Sequence, residues 1–180
     1  DLRGCMRASL AEQTLADLEG MDSYVYSAEF NPGGTVLAVA GVDSVVVLWD
    51  VTDPAAPARI GQPISGPAGR IFELAFHPRG NLLAASVIDG STWLWNISDP
   101  TRPVRVAVLS AGTSPLNTVA FHPSGDVLVT GGGDRRLRLS RTDENAGIAA
   151  ICAGVGDPIT EHEWRTYLPD VPYTPPCPPA

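Results

Sequence analysis

The sequence predicts an all-β fold of consecutive four-stranded antiparallel sheets, and three observations point to it. Phe30, Phe76 and Phe121 recur at intervals of 46 and 45 residues, each followed two residues on by proline and four on by glycine. Short apolar runs flank each of these turns, and no strong helical period competes with them. Glycine (18) and proline (17) are abundant in a chain of 180 residues, as a fold of many turns requires.

Each repeat justifies its elements in order. Gly20, Gly66 and Gly112 precede the first strand, in which Phe72, Leu74 and Phe76 are expected on one face and Glu73 on the other. The turns Asn31-Pro32-Gly33-Gly34, His77-Pro78-Arg79-Gly80 and His122-Pro123-Ser124-Gly125 follow. Proline fixes φ at their second position and glycine closes the fourth. The second strands, around Val36–Ala40, Leu82–Ala85 and Val127–Val129, are apolar on both faces, as in a buried strand. Asp43, Asp89 and Asp134 mark tight hairpins in which the carboxylate is expected to support its own backbone. The third strand ends in Leu48-Trp49-Asp50, Leu94-Trp95-Asn96 and Leu139-Ser140-Arg141, and Val104, Val106 and Val108 carry a fourth strand at spacing two. Trp49 and Trp95 are expected to be buried.

This set of markers, a leading glycine, a Pro-x-Gly turn, a turn aspartate and a closing Trp-Asp, resembles the WD40 repeat family over roughly residues 1–152. The resemblance implies β-propeller blades stacked radially around a channel. Blades are expected at 20–65, 66–111 and 112–152, the last with an outer strand at Ile148–Cys152. Residues 1–19 would hold the outer strand of a preceding blade, around Thr14–Leu18, and a linker. Three blades form an incomplete ring with two open edges, so the chain is expected to be a fragment or to be completed by another copy or an upstream segment. The histidine that usually follows the family's leading glycine is replaced by Met21, Pro67 and Thr113, and blade three carries Ser140 in place of tryptophan. The family's buried His–Ser/Thr–Asp–Trp network is therefore not available as such. The blades should rest more on apolar packing, with Val47 and Trp93 where a charged residue is usual.

The segments Val51-Thr52-Asp53-Pro54-Ala55-Ala56-Pro57 and Ile97-Ser98-Asp99-Pro100-Thr101-Arg102-Pro103 share an Asp-Pro-x-x-Pro linker. This is similar to actinobacterial multidomain WD40 proteins, in which a propeller forms the C-terminal part of a signalling protein with a regulatory NTPase, kinase or DNA-binding head. Residues 153–180 change character. Thr160-Glu161-His162-Glu163 reads as a capping box that starts a short helix through Trp164 and Tyr167, ending before Pro169. The two aromatic rings are expected to pack that helix on the last blade. Six prolines among the last 12 residues imply an extended tail, with docking of a partner as a second use.

Composition narrows the functions. The net charge is −8, from 12 basic and 20 acidic side chains, which argues against nucleic acid as a partner. All the bases are arginine, a bias that fits a GC-rich genome better than a function. Apolar runs fall well short of the roughly 18–20 residues of a membrane span. The polar start shows no signal-peptide pattern, and Cys5, Cys152 and Cys177 show no CxxC spacing. A cytoplasmic setting is expected, with a Cys152–Cys177 bridge left open as an alternative.

No catalytic, cofactor-binding or metal-binding residue is assigned. His77 and His122 sit in turns and His162 on a surface helix, while Gly131-Gly132-Gly133-Asp134 lacks the Lys-Ser/Thr of a phosphate loop. Arg135, Arg136, Arg138 and Arg141 read as a solvated turn and edge, or as a contact for an acidic protein surface. Tyr24 and Arg70, just before the first strands of blades one and two, are candidates for a partner-facing rim. The expected function is a non-catalytic protein-interaction scaffold or sensor, covalently linked to upstream domains. The alternatives are a propeller-type hydrolase or lactonase and a purely structural autoinhibitory cap. The hydrolase would need titratable residues at the rim, where Val42, Ile88 and Gly133 precede the turn aspartates.

Overall fold

The computed structural model of the chain describes residues 14–110, 112–142 and 160–167. Blade one is a meander of β1 (Val25–Phe30), β2 (Val36–Gly41), β3 (Val46–Asp50) and β4 (Ala58–Ile64). Blade two repeats it with β5 (Ile71–Phe76), β6 (Leu82–Val87), β7 (Ser91–Asn96) and β8 (Val104–Ser110). Blade three shows β9 (Leu116–Phe121), β10 (Val127–Gly132) and β11 (Leu137–Arg141). Its proposed fourth strand at Ile148–Cys152 lies outside the described residues, as do the three cysteines and the Pro-rich tail. The helix α1 spans Glu161–Tyr167, with the ion pair Arg165 Nη2–Glu161 Oε1 at 2.7 Å one turn apart. The side chains of Glu163, Trp164 and Tyr167, and with them the expected packing of α1, also lie outside.

The first turn of each blade has one geometry, set by the Pro-x-Gly chemistry. The amides of Gly34, Gly80 and Gly125 donate to the carbonyls of Asn31, His77 and His122 at 2.9, 2.7 and 2.8 Å. All three glycines have φ between 67° and 84°, the left-handed region in which a side chain is strained. The linkers are equally alike. Asp53 and Asp99 accept from the amides two residues on, Ala55 and Thr101, each at 3.0 Å, and their carbonyls close a turn with Ala56 and Arg102.

Two apolar layers hold the blades together. Ala38, Ala40, Val46, Leu48 and Ile64 of blade one pack against Ile71, Leu74, Phe76, Leu83 and Trp95 of blade two. On the other face of blade two, Ala75, Ala84 and Leu94 meet Val119 and Leu128 of blade three. Blade two is thus covered on both sides.

Thr14–Leu18 form no strand among the described residues; the strand expected there would pair with a preceding blade. Two expectations are corrected. Phe72 does not share a face with Leu74 and Phe76. The ladder between β5 and β6 shifts between Ile71 and Glu73, and this bulge turns Phe72 out while Ile71 takes the core position. Trp95 is 2% exposed, but Trp49 is only partly buried because no blade among the described residues covers that side of blade one. Among the repeat phenylalanines, Phe76 is buried and Phe121 partly so, whereas Phe30 is 58% exposed for the same reason.

Candidate interaction surface

The first strands of the three blades lie side by side, β1 against β5 and β5 against β9, and each carries a bulge at its start. The residue extruded by the bulge is Tyr26, Phe72 or Asn117. Tyr26 and Phe72 stack across the blade boundary with ring centroids 5.6 Å apart and 24° between planes. The period-two pattern held no sign of this pair, because an inserted residue shifts the alternation without changing composition.

Immediately before these bulges stand Tyr24, Arg70 and Pro115, again at intervals of 46 and 45. Their carbonyls accept from the amides of Val42, Ile88 and Gly133, at 3.0, 3.0 and 2.9 Å, so the loop before each blade is pinned to the turn between its second and third strands. The side chains are left free, Tyr24 being 77% exposed and Arg70 exposed. The two candidates read from sequence therefore occupy equivalent places on one rim.

The turn aspartates differ from one another. Asp89 Oδ1 accepts from the amide and the hydroxyl of Ser91, at 2.9 and 2.5 Å. Asp134 accepts from the Arg136 amide at 3.1 Å and pairs with the Arg138 guanidinium. The Arg138 bond, then the Arg136 amide, hold its carboxyl below the ordinary carboxylate range. Asp43 does not support its own hairpin. Its Oδ2 accepts from the amides of Asp22 and Ser23, at 2.7 and 3.1 Å, and so braces the loop that presents Tyr24. Arg135 and Arg136 are exposed at the blade three turn, with Arg135 at φ 62°, and Arg138 is taken up by its ion pair.

Blade two contains a substitute for the family's missing histidine network. The indole Nε1–H of Trp93 donates to Ser91 Oγ at 3.0 Å, and that hydroxyl donates to Asp89. The Trp93 ring stacks on Trp95 at 5.9 Å, and the Arg105 guanidinium lies 5.6 Å from its centroid. In blade one the equivalent Val47 is simply buried, 1% exposed.

His77 proved more than a turn residue. It is 4% exposed, its Nδ1 accepts from the Arg79 amide at 3.0 Å, and its ring meets Phe121 of blade three edge-on at 5.1 Å. Burial, then the Arg79 charge, lower its pKa, against a hydrogen bond to the Gly125 main chain and the charge of Asp126. His122 is exposed and bonds only within its turn, to Ser124 at 2.9 Å, and His162 is exposed on α1. Between the neighbouring first strands β1 and β5, Glu29 is pushed up by partial burial and by the Glu73 carboxylate.

Among the described residues, no three His, Cys, Asp or Glu side chains gather in a way that would hold a metal ion. No helix among them is long and apolar enough to cross a membrane. What the geometry offers is a rim of exposed side chains on a stiff frame of repeated sheets. These features define a propeller-type repeat protein. The family model for the WD domain, G-beta repeat, matches residues 12–50, 60–96 and 103–139, and the chain belongs to the WD40 repeat family. Each match after the first starts in or just before the outer strand of one blade and ends with or within the third strand of the next. WD40 domains mediate protein–protein interactions and are in general non-catalytic scaffolds. No curated protein matches the chain.

Proposed function

We propose that the chain is a non-catalytic protein-interaction scaffold whose rim, centred on Tyr24 and Arg70, receives a protein partner. The observation that carries this reading is the shared anchorage of the two residues. Each carbonyl is held by an amide of the neighbouring turn while the side chain projects into solvent. Tyrosine and arginine are the side chains that most often dominate binding energy at protein interfaces, and fixing the backbone beneath them lowers the entropy lost on binding. The net charge of −8 favours a protein over a nucleic acid in that role.

In the finer reading, the chain serves as the C-terminal propeller portion of a larger cytoplasmic signalling protein, covalently linked to upstream domains. The paired Asp-Pro-x-x-Pro linkers support it through their similarity to actinobacterial regulators. Affinity capture with the chain, and with Tyr24→Ala and Arg70→Ala, tests the rim. The wild type should retain a defined protein that both variants release at unchanged melting temperature. Capture of the same protein by all three forms, or of none, would refute the assignment of this rim.

A further inference from the structure

The outer faces of blades one and three are the same two surfaces that are buried at the internal blade boundaries. At the boundaries the third strand of one blade meets the next blade through Leu48, 2% exposed, and Leu94, 5% exposed; the equivalent Leu139 is 74% exposed. Val46 and Thr92 are fully covered, while the equivalent Leu137 is 71% exposed. On the opposite side, Ile71 and Phe76 of blade two are buried against blade one, and Leu116 of blade three is 2% exposed. Their counterparts on blade one, Val25 and Phe30, are 51% and 58% exposed. Such side chains left open together on two sheet faces are unusual for a protein surface.

Polar chemistry follows the same register. Ser27 Oγ accepts from the Leu74 amide at 3.0 Å, and Glu73 Oε2 accepts from the Val119 amide at 2.7 Å. Each boundary is thus bridged by one side-chain acceptor from the first strand of one blade to a main-chain donor on the first strand of the next. The next acceptor in the series is the exposed Thr118 on blade three, and the preceding donor is the amide of the exposed Ala28 on blade one. One end of the molecule carries the acceptor and the other the donor.

We propose that these two faces receive each other in a second copy of the chain, blade three of one copy packing on blade one of the other at both junctions to close a ring of six blades. Leu137 and Leu139 then cover Val25 and Phe30, and the Thr118 hydroxyl accepts from the Ala28 amide. The contact continues the two internal boundaries in kind and in register, and six lies within the roughly four to eight blades that propellers use. A head-to-tail contact that closes gives a discrete assembly instead of a fibre. The proposal goes beyond the scaffold reading and does not depend on the partner at the rim. A closed ring would bring two copies of any linked domain together.

Light scattering after size exclusion, on the full chain at micromolar concentration, tests it. The wild type should run at twice the monomer mass. Phe30→Asp and Leu139→Asp change exposed side chains, so each should remain folded by circular dichroism and run as a monomer. An equimolar mixture of the two should recover a one-to-one pair through the single intact junction, whereas the double variant should not self-associate. Thr118→Val should weaken dimerisation by roughly a hundredfold, about tenfold for the hydrogen bond lost at each of the two buried junctions. A monomeric wild type would overturn the proposal and leave the faces to blades from another source. So would a dimer indifferent to both aspartates.

Discussion

Gly125 stands so close to His77 that a β-carbon on it would lie 2.2 Å from Nε2. The glycine belongs to the first turn of blade three and the histidine to that of blade two, so this approach locks two blades at their turns. Gly125 also has φ 84°, where any other residue is strained. Gly125→Ala should therefore cost roughly 2–4 kcal/mol, through backbone strain and displacement of the imidazole together. Urea unfolding measures it, and a loss below that of Gly34→Ala, where nothing lies within 4 Å, would speak against the lock.

His77 also predicts a pH dependence. Its folded pKa is below the ordinary value of 6.5, so the unfolded chain takes up the proton first as pH falls. Stability from this group is present above that value and declines as pH drops from about 6.5 towards the folded pKa. Melting temperature recorded from pH 7.5 to 5.5 should fall for the wild type and flatten for His77→Gln. The lowered carboxyls of Asp99 and Asp134 act in the same direction, but only below the ordinary carboxylate value of 3.8.

The two repeat tryptophans should separate. Trp95→Ala removes a ring that is 2% exposed and should cost about 3–5 kcal/mol. In the Leu139→Asp background, which should keep the chain monomeric, Trp49→Ala should cost less, because its ring is only partly covered within one chain. Equal losses in chemical denaturation of that monomer would mean that Trp49 is fully covered within the chain.

Asp43 is expected to act on the rim more than on the core. Asp43→Ala frees the amides of Asp22 and Ser23 and should cost about 1 kcal/mol. Hydrogen exchange should quicken at those two amides while those of β2 and β3 keep their protection. Unchanged exchange there would remove the brace beneath Tyr24.

Much of this architecture was legible because repetition is visible in one dimension. The Pro-x-Gly turns, the apolar second strands and the valine alternation of β8 each follow from local chemistry at fixed spacing. What escaped was set between repeats. The carboxylate of Asp43 finds its partners 20 and 21 residues upstream, where spacing alone names no donor. His77 is buried by Phe121, which no pattern within its own turn could reveal. Phe72 was misplaced because a bulge adds one residue to a strand without altering its composition. On the rim, Tyr24 and Arg70 could be picked out by position, but their common anchorage required the carbonyl partners to be seen.

The bridges from Ser27 to Leu74 and from Glu73 to Val119 give the molecule a mechanical order. Blade two holds a neighbour on each side, whereas the described surfaces of blades one and three are each coupled to a single neighbour. Under a stretching load the outer blades should peel away one after the other, and the middle sheet should yield last. The force record of a single chain would then show a sawtooth whose final tooth belongs to residues 71–110.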